Sequence, residues 1–118
     1  MTNKFLALLL GLFLIGYCIQ SKASIHEWAR VSELKAKGET FLVVYSAKWC
    51  GYCVKYKDTI AQVTDREVII IDIDRFKEEL SDQNLYGVPA TDIFVDGKLK
   101  ERLYGYITIE KLKRAMEL

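Results

Sequence analysis

The stretch YSAKWCGYCVKY, Tyr45 to Tyr56, sets two cysteines three residues apart, directly behind an apolar run and with a tryptophan in front. Two thiols at this spacing could hold a metal, attach haem, close a structural staple or exchange electrons. Local structure narrows the choice. TFLVVYSA, Thr40 to Ala47, is a continuous β-prone run, as expected of a central strand covered on both faces. Gly51 to about Val63 then reads as a helix, with Val54, Ile60 and Val63 as its apolar stripe. Cys50 therefore falls where a buried strand ends and a helix begins. The first turn of a helix offers unpaired N–H groups and a positive dipole end, so a thiolate there is stabilised. The Cys50 thiol is expected to ionise below the free-cysteine value of about 8.5, with Lys48 as a nearby cation. Cys53 lies one turn along and is expected to be less exposed. Cys50 would attack a substrate disulfide and Cys53 would resolve the mixed disulfide; the reverse sequence oxidises the substrate. Gly51 is expected to allow the tight entry into the helix, and Tyr52 to offer surface to a substrate.

Other uses of the pair fit less well. Haem attachment needs a histidine directly after the second cysteine, and that position is Val54. Structural zinc wants four ligands, whereas beyond the leader only Cys50, Cys53 and His26 are available. A purely structural disulfide across so short a loop removes little unfolded-state entropy.

The 118-residue chain is long enough for one small domain. Its first segment reads as an export signal instead. A short start carrying Lys4 leads into FLALLLGLFLIGYCI, Phe5 to Ile19, which holds no charge, and small residues follow at Ser21 and Ala23. At about 1.5 Å per residue the apolar run reaches roughly 22 Å, short of a hydrocarbon core about 30 Å thick. Residues 1–23 are therefore expected to be a signal peptide cleaved after Ala23, with retention as an anchor through residues 5–19 as the alternative. A third outcome is lipidation at Cys18, where Ile15 and Gly16 suit a lipoprotein signal but Tyr17 is bulky. The expected location is periplasmic or otherwise secreted, with membrane contact only if this segment is retained. Lys4 and Lys22 leave with it and no acid does, which turns the net charge of +1 slightly negative. So balanced a surface gives no reason to expect nucleic acid as a partner.

Residues 24–118 read as one domain. Ser24 to Lys37 has helical spacing through Ile25, Trp28, Ala29 and Leu34, with Ser24 to cap it and Gly38 to end it. Trp28 is expected in the core, and His26 on the surface. EVIIIDID, Glu67 to Asp74, reads as a second buried strand, and Phe76 to Tyr86 as a weakly helical or irregular stretch. Two further strands flank Asp96-Gly97, a strong hairpin signal. Thr108 caps a last helix whose inner face is Ile109, Leu112 and Met116. Strand, helix, strand implies a parallel crossover and the final pair an antiparallel hairpin. The α/β fold expected is thus a mixed four-stranded sheet with helices on both faces.

With these residues in hand, the chain resembles the thioredoxin superfamily across nearly all of residues 24–118. Trp49-Cys50-Gly51-Tyr52-Cys53 looks like the family's W-C-G-x-C site. GVPATDIFVDGK, Gly87 to Lys98, looks like its cis-proline segment, and Gly105 follows at the family's usual offset. The resemblance implies a thioredoxin-like fold and an exported thiol–disulfide oxidoreductase with Cys50 and Cys53 catalytic. It implies a cis Val88–Pro89 bond facing the cysteines, where the Val88 backbone pairs with an extended substrate peptide. Trp49, Gly51, Tyr52, Val88 and Pro89 are the expected substrate contacts. No cofactor and no metal are implied; the partners would be protein thiols or disulfides and a redox partner protein, met by a monomer. Three departures stand out. Thioredoxins carry a buried relay acid six residues before the first cysteine, and here that residue is Val44. Asp92, an acid within an apolar strand, is expected to face solvent or cap a local backbone group, and is otherwise a substitute for the relay. The Gly-Tyr dipeptide resembles disulfide isomerases while Val-Pro-Ala resembles the periplasmic oxidant; lacking a histidine between the cysteines, the pair is expected to be reductant- or isomerase-like. The family's usual first strand is also missing from the pattern. The competing readings are a non-catalytic binding or chaperone module of the same fold and a copper or zinc carrier.

Overall fold

The computed structural model describes residues 27–117, so the expected signal segment, Cys18, the expected Ser24 cap and His26 lie outside the described residues. Within them the chain runs α1 (Glu27–Ala36), β1 (Phe41–Ser46), α2 (Gly51–Ile60), β2 (Glu67–Asp72), β3 (Ala90–Val95), β4 (Lys98–Tyr104) and α3 (Ile109–Met116). The strands form one sheet in the order β2-β1-β3-β4. β1 pairs parallel with β2 and antiparallel with β3, and β3 pairs antiparallel with β4. This is the mixed four-stranded sheet that the sequence implies.

Strand alternation divides the core into two layers. On one face Phe41, Val43 and Tyr45 of β1 meet Ile69, Ile71 and Phe94, covered by Val31 and Leu34 of α1. On the other, Leu42 and Val44 meet Ile93, covered by Tyr56 and Ile60 of α2 and by Leu112, Ala115 and Met116 of α3. Every residue of β1 is buried because both its faces are covered. β2 is different. It is an edge strand: Ile69 and Ile71 are buried in the first layer, whereas on the other face Val68 is only half-buried against the second layer and Ile70 is exposed. Trp28 is half-buried against the first layer.

The phase of α2 also differs from expectation. Its buried residues are Cys53, Tyr56, Thr59 and Ile60, whereas Val54 is 56% exposed. A helix entered at Gly51 turns Cys53 and Tyr56 toward the sheet, and Val54 follows about 100° round the axis. The Tyr56 ring fills the space a stripe through Val54 would have supplied. Its hydroxyl shares a 2.8 Å hydrogen bond with Thr91 Oγ1, which makes its burial tolerable. Burial pushes the Tyr56 phenol above its ordinary pKa. The stretch after β2 contains single turns, such as Leu80 N–H to Phe76 C=O at 3.0 Å, and is pinned by the buried Phe76 and Leu80.

Helix ends and turns follow the local chemistry. Gly38, at φ +71°, closes α1 with Glu39 N–H bonded to Leu34 C=O and Gly38 N–H to Lys35 C=O. Asp96 and Gly97, at φ 52° and 79°, make the primed hairpin turn that matches strand twist. The turn then docks on the end of α1: Gly97 N–H donates to Glu39 C=O at 2.8 Å. A Cβ at position 97 would meet the Lys35 carbonyl at 2.5 Å, so glycine is needed there twice over. Thr108 Oγ1 accepts from Lys111 N–H at 3.3 Å and caps α3.

Candidate functional site

The end of β1 and the start of α2 place the cysteines. Cys50 is the N-cap of α2, with extended backbone (φ −91°, ψ 110°), and its Sγ accepts from the Cys53 N–H at 3.2 Å. That bond satisfies one of the free donors of the first turn, at the position where the sequence places the thiolate. Cys50 and Cys53 are joined in a disulfide, with Cα atoms 5.2 Å apart. Cys50 is 8% exposed and Cys53 2%, so the first sulfur lies nearer the surface. Both pack on Ala47, Ile73 and Val88.

Val88 brings the cis-proline segment to the sulfurs. The Val88–Pro89 peptide is cis. Cys50 Sγ lies 3.7 Å from the Val88 carbonyl oxygen. Pro89 itself is fully buried, so at this point the surface consists of Val88. Trp49 and Tyr52 flank the disulfide with most of their rings in solvent, and Trp49 is 70% exposed. The Trp49 indole N–H donates to Asp74 Oδ2 at 3.1 Å, which fixes the ring's orientation. Gly51 is exposed, and a Cβ there would meet nothing within 4 Å. Helix entry does not require glycine at this position. Its effect is to keep the rim beside Cys50 low.

A groove of ≈ 620 Å³ runs from Trp49 along Ile73, Leu80 and Leu85 to Tyr86 and Val88. Tyr86 is almost wholly exposed, and its ring lies 5.7 Å from that of Tyr104 on β4. Sequence reasoning missed Asp74, Tyr86 and this groove. An aromatic residue directly before Gly-Val-Pro was the one available signal for Tyr86.

Asp92 corrects the reading of a solvent-facing acid. It is 1% exposed, on the α1 side of the sheet. The Tyr45 hydroxyl donates to its Oδ2 at 2.9 Å, and Arg102 holds both of its oxygens through Nε and NH2. The α1 side is also opposite the layer that contains Val44 and Tyr56. With both oxygens committed to partners there, Asp92 does not take the place of a relay acid. Hydrogen bonding to Asp92 raises the Arg102 guanidinium above its ordinary range. Burial first, and then the Asp92 charge, pushes the Tyr45 phenol up. Among the described residues, no group of three or more His, Cys, Asp or Glu could hold a metal ion.

A thioredoxin-like domain model matches residues 29–118. The chain belongs to the thioredoxin-like family. Among curated proteins it is 27% identical to thioredoxin H8 of Arabidopsis thaliana, over 84% of this chain and 70% of that one. It is 24% identical to a thioredoxin of Mycoplasmoides gallisepticum, over 75% of this chain and 93% of that one. Among solved structures it resembles oxidised thioredoxin O1 of Arabidopsis thaliana, with TM-score 0.63 and 27% identity over 74% of this chain and 83% of that one. Thioredoxin-like membership together with a disulfide-bonded C-x-x-C pair makes the protein a thiol–disulfide oxidoreductase.

Proposed function

We propose that the protein exchanges disulfides with exported protein substrates, with Cys50 as the attacking thiol and Cys53 as the resolving one. The observation that carries this assignment is the placement of Cys50 Sγ at the cap of α2, 3.7 Å from the Val88 carbonyl, with Cys53 more deeply buried behind it. In the reductive direction the Cys50 thiolate attacks one sulfur of a substrate disulfide. That S–S bond breaks, a Cys50–substrate disulfide forms, and the departing substrate thiolate takes up a proton. Cys53 then loses its proton and attacks Cys50 Sγ. The second substrate thiol is released, and the Cys50–Cys53 disulfide remains. The substrate gains two electrons, and a dithiol partner protein restores the pair. An extended substrate peptide pairs with the Val88 backbone while Trp49 and Tyr52 supply apolar surface at the rim and Gly51 leaves it open. With no histidine between the cysteines, the pair acts as a reductant or isomerase in preference to a strong oxidant.

Wild-type protein should accelerate the reduction of insulin by dithiothreitol, followed as turbidity. Cys50→Ser should return the rate to that of dithiothreitol alone. Equal rates in the two proteins would refute the catalytic role. Export rests on the charge-free run Phe5 to Ile19 and the small residues at Ser21 and Ala23. Protein recovered from a periplasmic extract should begin at Ser24 by N-terminal sequencing; intact Met1 on a cytoplasmic product would overturn this part.

A further inference from the structure

The segment that presents Val88 has little regular structure of its own. Between β2 and β3 the chain contains no helix or strand. Its first half is anchored by Phe76 and Leu80 in the core, and its end by the buried Pro89. Between those anchors it bends through Asn84, whose φ of 52° is left-handed. Residues Asn84 to Val88 form one wall of the groove beside the cysteines.

Directly before that bend, Gln83 is gripped by Arg102. Arg102 NH1 donates to the Gln83 backbone carbonyl, and NH2 donates to its Oε1 at 3.2 Å. The same guanidinium holds both Asp92 oxygens, and its carbon lies 5.5 Å from the centre of the Tyr45 ring. One planar fork therefore ties the sheet to the segment. Two residues along β4, Tyr104 meets Tyr86 and braces the far side of the same bend.

This arrangement depends on an irregularity in β4. Val95 pairs with Lys98 and Phe94 with Leu99, but Ile93 pairs with Glu101, so Lys100 is an extra residue. Continued without that bulge, the register would oppose Asp92 with Glu101, and Arg102 would point to the other face. The bulge puts the cation opposite the buried acid and aims it at Gln83.

We propose that Arg102 is a positioning residue for substrate recognition: anchored on Asp92, it holds Gln83 and so fixes the Asn84–Val88 wall against which the substrate peptide is bound. This rests on the reading of Val88 as the peptide platform. Cys50 and Cys53 are carried by α2 and meet this wall at Val88, beside the buried anchor Pro89 and away from the Gln83 end that the clamp holds, so loss of the clamp changes the capture of large substrates and leaves the chemistry of the pair alone.

Arg102→Lys in the full chain is the discriminating variant. Lysine keeps a charge near Asp92 but lacks the planar fork that reaches Asp92 and Gln83 together. The expected result is a KM for insulin raised about tenfold, less than the roughly 100-fold that a 1 Å misplacement of reacting groups can cost. The kcat for insulin and the rate with oxidised glutathione, a small disulfide that does not need the wall, should be unchanged. Amide exchange at residues 84–88 should quicken while β1 and β3 stay protected. An unchanged KM, an equal fall in rate with insulin and glutathione, or unchanged exchange at 84–88 would each overturn the proposal. If wild-type protein does not reduce insulin at all, the functional reading fails, and the exchange comparison alone decides the clamp. Should Arg102→Lys fail to fold, Gln83→Ala replaces it: a smaller KM increase with faster exchange at 84–88 supports the clamp, and no change in either refutes it.

Discussion

Replacing Cys53 with serine should turn the protein into a trap. Reduced Cys53→Ser, mixed with a protein disulfide, is expected to accumulate a covalent adduct through Cys50 that survives denaturing electrophoresis and disappears on adding dithiothreitol. The reason is the proposed division of labour between the sulfurs. Cys50 caps α2 beside the Val88 carbonyl and is the more accessible of the two, while Cys53 is one helical turn deeper. Serine at position 53 leaves capture intact and removes the one other thiol among the described residues, which would displace the captured chain. The mirror variant, Cys50→Ser, should form few adducts, because the 2% exposed Cys53 would have to meet the substrate itself. Equal trapping by both variants would contradict the assigned order of attack. Partners held by Cys53→Ser in the presence of dithiothreitol would point to a binding module instead of an exchange enzyme.

The Asp92–Arg102 pair should be one of the costliest polar contacts to break, and its two halves should not be equivalent. Losing one member of a buried ion pair typically costs roughly 3–5 kcal/mol, because the survivor keeps an uncompensated charge. Asp92 is 1% exposed and its partner side chain 16%, so the acid has less access to water. Arg102→Ala should therefore fall near the top of that range, leaving Asp92 with only the Tyr45 hydroxyl. Asp92→Ala should fall near the bottom, since Arg102 keeps Gln83 and some solvent. The double variant should be less destabilised than the sum of the singles, the sign expected when neither charge is left behind. Urea unfolding of the oxidised proteins measures all three. Equal losses for the two single variants would refute the asymmetry, and losses below about 1 kcal/mol with full additivity would show that the pair behaves as an ordinary surface contact.

Those two expectations differ in how far they could be read from sequence. The placement of the cysteines was legible because the features behind it are local. An apolar run ending at Ala47, a C-x-x-C pair and a helix start sit in consecutive residues. Asp92 was misread for the converse reason. Nothing within several residues of it supplies a partner, and its side chain is satisfied from β1, β4 and, through Arg102, the segment before β3. The phase of α2 was misjudged on similar grounds. Val54 and Tyr56 are both plausible inward residues, and the choice between them depends on how the helix is set on the sheet. The groove wall at Leu85 and Tyr86 was missed because its residues form no periodic pattern and only the aromatic before Gly-Val-Pro hinted at it.

By itself, the sequence determined the strand and helix order, the primed turn at Asp96-Gly97, the helix stop at Gly38, the helix start at Thr108, and the position of Cys50 at a helix cap. Each of these depends on backbone preferences and hydrogen bonds that span only a few residues. Only the tertiary structure decided that β2 is an edge, that Tyr56 fills the space beneath α2, and that Arg102 meets Asp92 and Gln83. The first follows from strand order and the second from how α2 is set on the sheet; the third depends on strand register, where a single bulged residue at Lys100 reverses which face every residue beyond it presents.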